Sequence, residues 1–351
     1  GPPMIISRTP FRISFFGGGT DYPTWYREEG GAVLSTTIDK YCYLSCRVIP
    51  PFFNMKHRIV WSHIETVSSI SEILHPAVRE GLNWLGFDDR VGLEIHHQGD
   101  LPARSGMGSS SSFAVGLIKC LMALRGQMVG NRELALLAME LEQEILKDHV
   151  GSQDQVAAAF GGLNLIRFAT NGTFKVDPVP LPAVRMNELQ DRLLLVYTGS
   201  SRLATEIAAQ VVANLPNKRQ ELHRMRAMVD EALGVLTGNG DLDDFGRMLH
   251  EAWQIKRGMG ASVTTATLDE IYQTALDHGA VGGKLLGAGG TGFMVFYVHP
   301  ERRQEVAKSL PGCLPVNFKF EQEGSVLIHY EPNGDLRPKT VSALAAPGRP
   351  A

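Results

Sequence analysis

The chain has 351 residues, of which 44% are hydrophobic and 20% charged, and its formal net charge is −3 at pH 7. These fractions are typical of a globular protein, and the length exceeds that of one ordinary core, so two domains are expected. The small negative charge offers no electrostatic basis for binding nucleic acid or an anionic membrane, and no apolar run is long enough to cross a bilayer. Four scattered cysteines without a C-x-x-C pair favour reduced thiols in a cytoplasmic protein over a disulfide framework or a zinc site.

The first distinctive segment is a run of three glycines that ends a predicted strand over residues 11–17. Glycines permit backbone conformations closed to other residues and leave room for a ligand. Asp21 follows shortly after, so the segment is either a ligand-binding turn or an ordinary turn in which Asp21 bonds the nearby backbone. Further elements are predicted as strands at 32–39 and 41–49, a helix near 71–85 and a strand at 91–97.

A glycine- and serine-rich segment at 101–112 precedes an apolar pattern that begins at Phe113 and repeats every three or four residues. The pattern predicts a broadly buried helix, whose first N–H groups lack partners and whose dipole favours negative charge. Gly106 and Gly108 would let the backbone approach a ligand closely. The segment is therefore either a cradle for a phosphate or a flexible loop with a serine cap. It is not a Walker A loop, because no Gly-Lys-Ser/Thr follows the glycines.

A second helix is expected from Asn131, with Glu142 at the rim of its apolar stripe. Ser152 and Gln155 then have the spacing of a capping box, which would place Asp154 in the first turn of a short helix. Glu142 is either a solvated helix carboxylate or a metal ligand, and its place on the rim of the stripe with no cation four residues on favours the metal. Taken alone, Asp154 is a partner of the helix dipole. A strand at 163–168 closes this half, and the polar passage at 170–190 is predicted to be a linker or a long hairpin.

The second half alternates helices and strands without a strict βαβ rhythm, which indicates an α+β fold. Strands are predicted at 193–197, 293–298 and 326–331, and helices near 201–213, 217–237, 241–257, 267–278 and 301–309. Glycines at 287–292 match the G-x-G-x-x-G spacing of a dinucleotide fingerprint. That fingerprint requires a following helix, and here a strand follows, so the dinucleotide interpretation is rejected.

Three motifs in this order resemble those of the galacto-, homoserine, mevalonate and phosphomevalonate kinases, the GHMP family. They are Arg12–Tyr22, Pro102–Ser112 and Lys284–Gly292. The resemblance extends over nearly the whole chain and implies a two-domain α+β kinase. Residues 4–185 would form a domain similar to ribosomal protein S5, and residues 190–345 a ferredoxin-like domain, with the active site between them.

Within the family, residues 16–23 and 35–41 are most similar to the bacterial kinases of D-glycero-D-manno-heptose 7-phosphate. Those enzymes phosphorylate the anomeric C1 hydroxyl on the route to GDP-heptose for capsule or surface polysaccharide. Galactokinases carry Glu-His where this chain has Gly18 and Gly19. L-fucokinase domains share much of the same motif and are the alternative.

The resemblance also implies roles for individual residues, with ATP and Mg²⁺ as cofactors. Asp154 would be the catalytic base, and Arg12 would offset the negative charge on it and on the transferred group. Ser110 and Glu142 would bind Mg²⁺. The ATP-binding residues would be Pro102, Arg104, Ser105, Gly106, Met107, Gly108, Ser109, Ser110, Ser111 and Ser112. The substrate-binding residues would be Gly18, Gly19, Thr20, Asp21, Tyr22, Lys40, Lys256, Gly289 and Gly290. Cations for the sugar's own phosphate would come from Lys256, Arg257, Arg104 and Lys40.

Two functions of other classes are weighed against a kinase. A protein of this fold that has lost catalysis would act as a sugar or ATP sensor, and the S5-like half resembles an RNA-binding fold. Ser110, Glu142 and Asp154 argue against a sensor, and the negative net charge argues against RNA. The expected partners are ATP and a small sugar phosphate, without nucleic acid or membrane, and a homo-oligomer is left open.

Overall fold

The computed structural model describes residues 3–331, so the predicted domain residues 332–345 lie outside the described part. The chain forms two antiparallel-rich sheets with helices packed on and between them, which confirms the α+β prediction. The elements are β1 Met4–Phe16, α1 Pro23–Glu29, β2 Gly31–Val48, β3 His57–Val60, β4 Ile64–Val67, α2 Pro76–Trp84, β5 Leu93–Gly99, α3 Ser109–Leu124, α4 Asn131–Met139, α5 Gln153–Phe160, β6 Leu163–Phe168, β7 Phe174–Pro178, α6 Ala183–Asp191, β8 Leu193–Tyr197, α7 Ala204–Asn214, α8 Arg219–Thr237, α9 Asp243–Arg257, α10 Ala266–Asp277, β9 Ala280–Leu285, β10 Phe293–Val298, α11 Arg303–Lys308, β11 Leu314–Val316, β12 Phe320–Glu321 and β13 Val326–Glu331. A π-helical turn, Glu140–Ile145, follows α4.

The larger sheet is built around β2, which pairs with β1 along most of its length. The two strands predicted at 32–39 and 41–49 are in fact this single strand. Its first part pairs with β6 and its last part with β5, so the apparent break in the sequence marks a change of partner. The passage at 170–190 contains the hairpin strand β7, which pairs with β6, and then helix α6, so the hairpin alternative is correct for its first part.

Helix α3 packs against β1 and β2 and is buried along nearly all of its length. Its apolar residues occur on every face, which is why the sequence shows a broad apolar run instead of a narrow stripe. Gly116 allows α3 to pack close to β1, because a Cβ at this position would lie 2.9 Å from Thr9 Oγ1 on that strand. The N-terminus of α3 is thereby held at the end of the sheet where the glycine-rich segments meet.

The smaller sheet has the order β11-β8-β10-β9 with all neighbours antiparallel. After β11 the chain returns to the larger sheet, where β12 pairs with β2 and β13 pairs with β1. The predicted second domain, 190–345, therefore contributes strands to the first domain's sheet. This long-range pairing covers the edge of β1, which would otherwise leave a row of unpaired backbone groups.

Helix α9 lies between the two sheets, in contact with β1, β9 and β10. Its Phe245 ring packs edge-on against Phe15 and Phe16 at the end of β1, with both ring centroids 5.2 Å away. The C-terminal end of α9 carries Lys256. Over residues 3–331, none of the helices has both the length and the hydrophobicity of a membrane span.

Candidate active site

Two glycine loops pack against each other at the N-terminus of α3. Gly106 and Gly108 have φ angles of 93° and 73°, in the left-handed region that favours glycine. A Cβ on Gly106 would lie 2.2 Å from Leu286 O, and one on Gly287 would lie 2.4 Å from the Gly106 Cα. The backbones of the two glycine loops therefore touch beside the first turn of α3, whose first N–H groups have no partners within the helix. This arrangement suits an anion such as a phosphate.

Arg12 and Asp154 lie beside this loop. Two hydrogen bonds join them, from Arg12 Nε to Asp154 Oδ1 at 2.6 Å and from Arg12 Nη2 to Asp154 Oδ2 at 3.0 Å. Arg12 Nη1 also donates to Gly106 O at 2.7 Å, and the Arg12 backbone N–H donates to Met107 O at 3.1 Å. Arg12 thus fixes both the phosphate loop and the orientation of the Asp154 carboxylate. As predicted, Asp154 lies in the first turn of its helix, α5.

Asp21 is buried and accepts two backbone hydrogen bonds, from Gly19 N–H at 3.1 Å and from Gln153 N–H at 3.2 Å. Gly151 is needed for this contact, because a Cβ there would lie 2.1 Å from Asp21 Oδ2. Burial first, and the neighbouring Asp154 second, raise the pKa of Asp21 to about 6. Ionisation of Asp21 is therefore energetically unfavourable in this buried position. Its carboxylate lines a cavity, where it can accept hydrogen bonds from hydroxyl groups.

Glu142 lies on the π-helical turn and is only 1% exposed. Its carboxylate accepts hydrogen bonds from Ser110 Oγ at 3.1 Å, Ser111 Oγ at 2.6 Å and Gln155 Nε2 at 3.0 Å. Burial raises the pKa of Glu142 to about 7. The alternative that Glu142 is a solvated carboxylate is therefore wrong. The extra residue of a π turn reorients side chains, and such turns are common at functional sites.

The predicted capping box is also wrong. Ser152 makes no capping bond, and its hydroxyl instead contacts Tyr26 and Gln143. Gln155 donates through Nε2 to Glu142. In a capping box its Oε1 would accept from the Ser152 N–H, but that N–H donates to Asp21 O at 2.9 Å, so tertiary contacts override the local motif.

A divalent cation would find oxygen donors at Ser110 and Glu142. Within residues 3–331 no group of three or more His, Cys, Asp or Glu side chains is arranged to hold a metal, so the remaining ligands would have to be phosphate oxygens and water. This is the usual donor set of Mg²⁺ at a nucleotide. In the described part of the chain the hydrogen-bond partners of Glu142 are all uncharged side chains, so the residues present fit the ion.

Two lysines of the second domain line the same cavity as Arg12, Asp21 and Asp154. Lys284 is buried on β9 and donates to Phe15 O at 3.3 Å, while Lys256 at the end of α9 donates to Leu285 O at 2.8 Å. Burial, followed by Arg12, lowers the pKa of Lys284 to about 7. Burial, then Lys284 and Arg12, lower the pKa of Lys256 well below its usual value.

Arg12, Asp21, Asp154 and the two lysines line one cavity of about 320 Å³ between the two domains. The predicted site residues that line it are Arg12, Gly18, Gly19, Asp21, Tyr22, Arg104, Gly106, Gly108, Ser109, Ser110, Asp154, Lys256 and Gly289. The predicted residues absent from its lining are Thr20, Lys40, Pro102, Ser105, Met107, Ser111, Ser112, Glu142, Arg257 and Gly290. Several of these support the walls: Thr20 Oγ1 donates to Gly17 O, and Ser112 Oγ donates to Pro10 O.

Some lining residues escaped prediction. Lys284 belongs to the third motif but carries no local sign of its role. Ser14 lies two residues after Arg12 on the same strand, so the alternation of side chains along a strand places both on one face and would have identified it. Ser14 Oγ and Gln153 Oε1 are buried at the cavity without a hydrogen-bond partner. Buried polar atoms are normally satisfied, so these two are available to a ligand.

Comparison with known proteins identifies the class. Residues 70–162 match the model of the GHMP kinases N terminal domain, and residues 231–314 match that of the GHMP kinases C terminal domain. Together with the relatives described next, these matches show that the chain belongs to the GHMP kinase family.

Among the relatives is a D-glycero-alpha-D-manno-heptose 7-phosphate kinase from Campylobacter jejuni, 30% identical over 91% of this chain and 97% of that protein. A bifunctional fucokinase/GDP-fucose pyrophosphorylase from Arabidopsis thaliana is 28% identical over 89% of this chain, which corresponds to 31% of that protein. A solved D-glycero-D-manno-heptose 1-phosphate kinase from Bacteroides thetaiotaomicron has the same fold, with a TM-score of 0.74 and 24% identity over 93% of this chain and 99% of that chain.

Proposed function

We propose that the protein transfers the γ-phosphoryl group of ATP to the anomeric C1 hydroxyl of D-glycero-D-manno-heptose 7-phosphate, giving the 1,7-bisphosphate for GDP-heptose synthesis. The observation that carries the proposal is the bidentate Arg12–Asp154 pair beside the phosphate loop, in a cavity that also holds Asp21. The similarity to the heptose 7-phosphate kinase over almost the whole of both chains supports the choice of sugar.

In this proposal the N-terminus of α3, with the amides of residues 106–112, holds the nucleotide phosphates. Ser110 and Glu142 would hold Mg²⁺, which would neutralise charge on the nucleotide phosphates. Asp21 accepts hydrogen bonds from sugar hydroxyls and so orients the ring. Asp154 accepts the proton of the anomeric hydroxyl, and Arg12 keeps that carboxylate in the orientation in which it can do so.

A reducing compartment is part of the proposal. Cys42, Cys46 and Cys120 are buried free thiols in the apolar core of the first domain. Burial raises the pKa of Cys42. Buried free thiols of this kind behave as small apolar residues, which supports a cytoplasmic location without disulfides.

The test is an ADP-release assay with ATP and Mg²⁺ over hexoses, heptoses and their phosphates, with reactions that lack sugar as the control. We expect the highest kcat/KM for D-glycero-D-manno-heptose 7-phosphate. Loss of the reducing end in the product, measured by NMR, would locate the new phosphate at C1. ATP consumption that does not depend on any sugar would contradict the proposal, and binding of ATP or sugar without turnover would favour a sensor.

L-fucokinase activity is the second candidate, and the similarity to the Arabidopsis fucokinase favours it. L-fucose carries no phosphate, so it has no group equivalent to the 7-phosphate for a cationic side chain to bind. The same assay separates the two candidates. A kcat/KM for L-fucose that exceeds the value for the heptose phosphate would replace the proposed substrate.

A further inference from the structure

Lys256 and Lys284 line the cavity, and neither forms a salt bridge with a carboxylate in the described structure. Arg12 is paired with Asp154 through two hydrogen bonds. The two lysine ammonium groups donate only to backbone carbonyls, those of Leu285 and Phe15. A carbonyl dipole compensates an ammonium charge only in part, so an anion from the ligand is the missing partner.

We propose that Lys256 and Lys284 together bind the phosphoryl group while it is being transferred. The proposal rests on the proposed phosphoryl-transfer function and adds the residues that contact the group in flight. During transfer, the bond from phosphorus to the ADP oxygen breaks and the bond to the anomeric oxygen forms, while the hydroxyl proton moves to Asp154. The lysines form no covalent bond; they donate hydrogen bonds to the equatorial phosphoryl oxygens, where the charge is spread.

The position of the pair distinguishes this role from binding of the sugar's own phosphate. The charged groups that act on Lys256 are Lys284, Arg12 and Asp154, and those that act on Lys284 are Arg12 and Asp21. Lys256 and Lys284 therefore line the same cavity as the proposed proton acceptor Asp154 and the sugar-binding carboxylate Asp21, close enough for Asp154 to act on Lys256 and Asp21 on Lys284. The 7-phosphate is at the opposite end of a seven-carbon sugar from the C1 hydroxyl, so it would lie away from Asp154. The next residues after Leu285 also lead directly into the loop that packs on Gly106.

Binding of a phosphoryl group should change the protonation of Lys284. The pKa of Lys284 is lowered to about 7 in the empty cavity by burial and by Arg12, so at pH 8 its amine is mostly neutral. A phosphoryl group placed against it favours the ammonium form, so binding takes up a proton from solvent. The other titratable groups on the cavity wall are Tyr22, Arg104, Asp148 and His149.

The first experiment compares Lys256→Met and Lys284→Met with Lys308→Met, an exposed lysine far along the chain on α11. Steady-state kinetics are measured with the heptose 7-phosphate and with the same heptose lacking phosphate. We expect each cavity variant to lower kcat roughly 10- to 1,000-fold with both acceptors, as removal of a single transition-state donor does. The surface control should leave kcat unchanged. A defect confined to the KM of the phosphorylated sugar, and absent with the other, would overturn the proposal by assigning the lysines to the 7-phosphate.

The second experiment does not depend on the sugar. Calorimetry with Mg²⁺ and a non-hydrolysable ATP analogue, in two pH 8 buffers of different ionisation enthalpy, reports the protons taken up on binding. We expect proton uptake by the wild-type protein and a smaller uptake by Lys284→Met, because this variant lacks one of the two amines whose pKa is lowered by burial. Equal uptake by both proteins would overturn the lysine role. If no sugar is phosphorylated but the uptake is smaller in the variant, the proposed substrate fails while the lysine pair stands.

Discussion

Arg12 and Asp154 are 142 positions apart in the chain and meet through two parallel hydrogen bonds. Both ends of the contact are anchored: Arg12 also holds the carbonyl of Gly106, and Asp154 is fixed in the first turn of a helix. A bidentate guanidinium–carboxylate pair restricts rotation of both groups. The carboxylate is thus held at a set angle to the phosphate loop, and several predictions about the site depend on that geometry.

Replacing Asp154 with Asn tests its role as proton acceptor. Asn keeps the shape of the side chain and suits a helix start, so a purely structural role predicts normal turnover and a loss of stability up to about 1 kcal/mol. If Asp154 is the general base, kcat should fall by roughly 10²- to 10⁴-fold with a nearly unchanged melting temperature. If Asp154 only orients the hydroxyl, the decrease in kcat should be smaller and should not vary with pH. The measurement is kcat as a function of pH, beside a melting curve for the same variant.

Asp21→Ala should affect the sugar and spare the nucleotide. Losing a hydrogen bond between a hydroxyl and a charged acceptor costs about 1.5–3 kcal/mol, which corresponds to roughly one to two decades in kcat/KM for the sugar. Steady-state kinetics with each substrate varied in turn measure the effect. If ATP affinity collapses while the sugar parameters are kept, Asp21 belongs to the nucleotide site.

Asp21→Asn should also change how stability depends on pH. Burial, followed by the neighbouring Asp154, raises the pKa of Asp21 in the folded protein from the ordinary aspartate value of 3.8 to about 6, so ionising this group disfavours the folded state. The cost is fully present above pH 6 and disappears as the pH falls toward 4, because the folded protein then binds the proton more tightly than the unfolded chain. A shift of this size corresponds to at most about 3 kcal/mol.

The difference in unfolding free energy between Asp21→Asn and the wild-type protein isolates this group from the others that titrate. We expect the variant to gain stability relative to wild type between pH 4 and pH 8, measured by urea denaturation at each pH. A difference that is constant over this range would mean that the carboxylate is not destabilised by burial.

Glu142→Gln should weaken the response to Mg²⁺. Gln keeps the shape of the buried side chain but removes the charge that would attract the cation. We expect the Mg²⁺ concentration for half-maximal turnover to rise by roughly 10- to 100-fold, the range found when a metal site loses a supporting group. Glu140→Gln, on the same π-helical turn, is the matched control. An unchanged Mg²⁺ titration in the Glu142 variant would remove it from the metal site.

Gly287→Ala should disturb the contact between the two glycine loops. The added Cβ would lie 2.4 Å from the Gly106 Cα, at a φ of 81°, so both a clash and backbone strain are expected. Strain of this kind costs about 1–3 kcal/mol, and displacement of the phosphate loop should raise the KM for ATP. Gly312→Ala isolates the strain, because Gly312 has a φ of 84° and nothing within 4 Å of an added Cβ. Equal effects of the two substitutions would show that loop contact is unimportant.

The sequence by itself determined the local features of this protein. The burial pattern of α3, the glycine loop before it and strands such as β8, β10 and β13 follow from periodicity and from the special conformations of glycine, which act over a few residues. The three motifs also pointed to the family to which the chain belongs. Even the missed Ser14 follows from local alternation with Arg12 along β1.

Only the tertiary structure decided which of these segments meet. The Arg12–Asp154 pair, the return of β13 to β1 and the positions of Lys256 and Lys284 depend on contacts between distant segments, which no local pattern specifies. The capping box failed for the same reason, since the Ser152 N–H donates to the distant Asp21 carbonyl and the Gln155 amide donates to Glu142. Burial is likewise a property of the assembled core. It turned an apparent rim carboxylate into a buried one with a raised pKa, because desolvation acts only once the surrounding elements have packed.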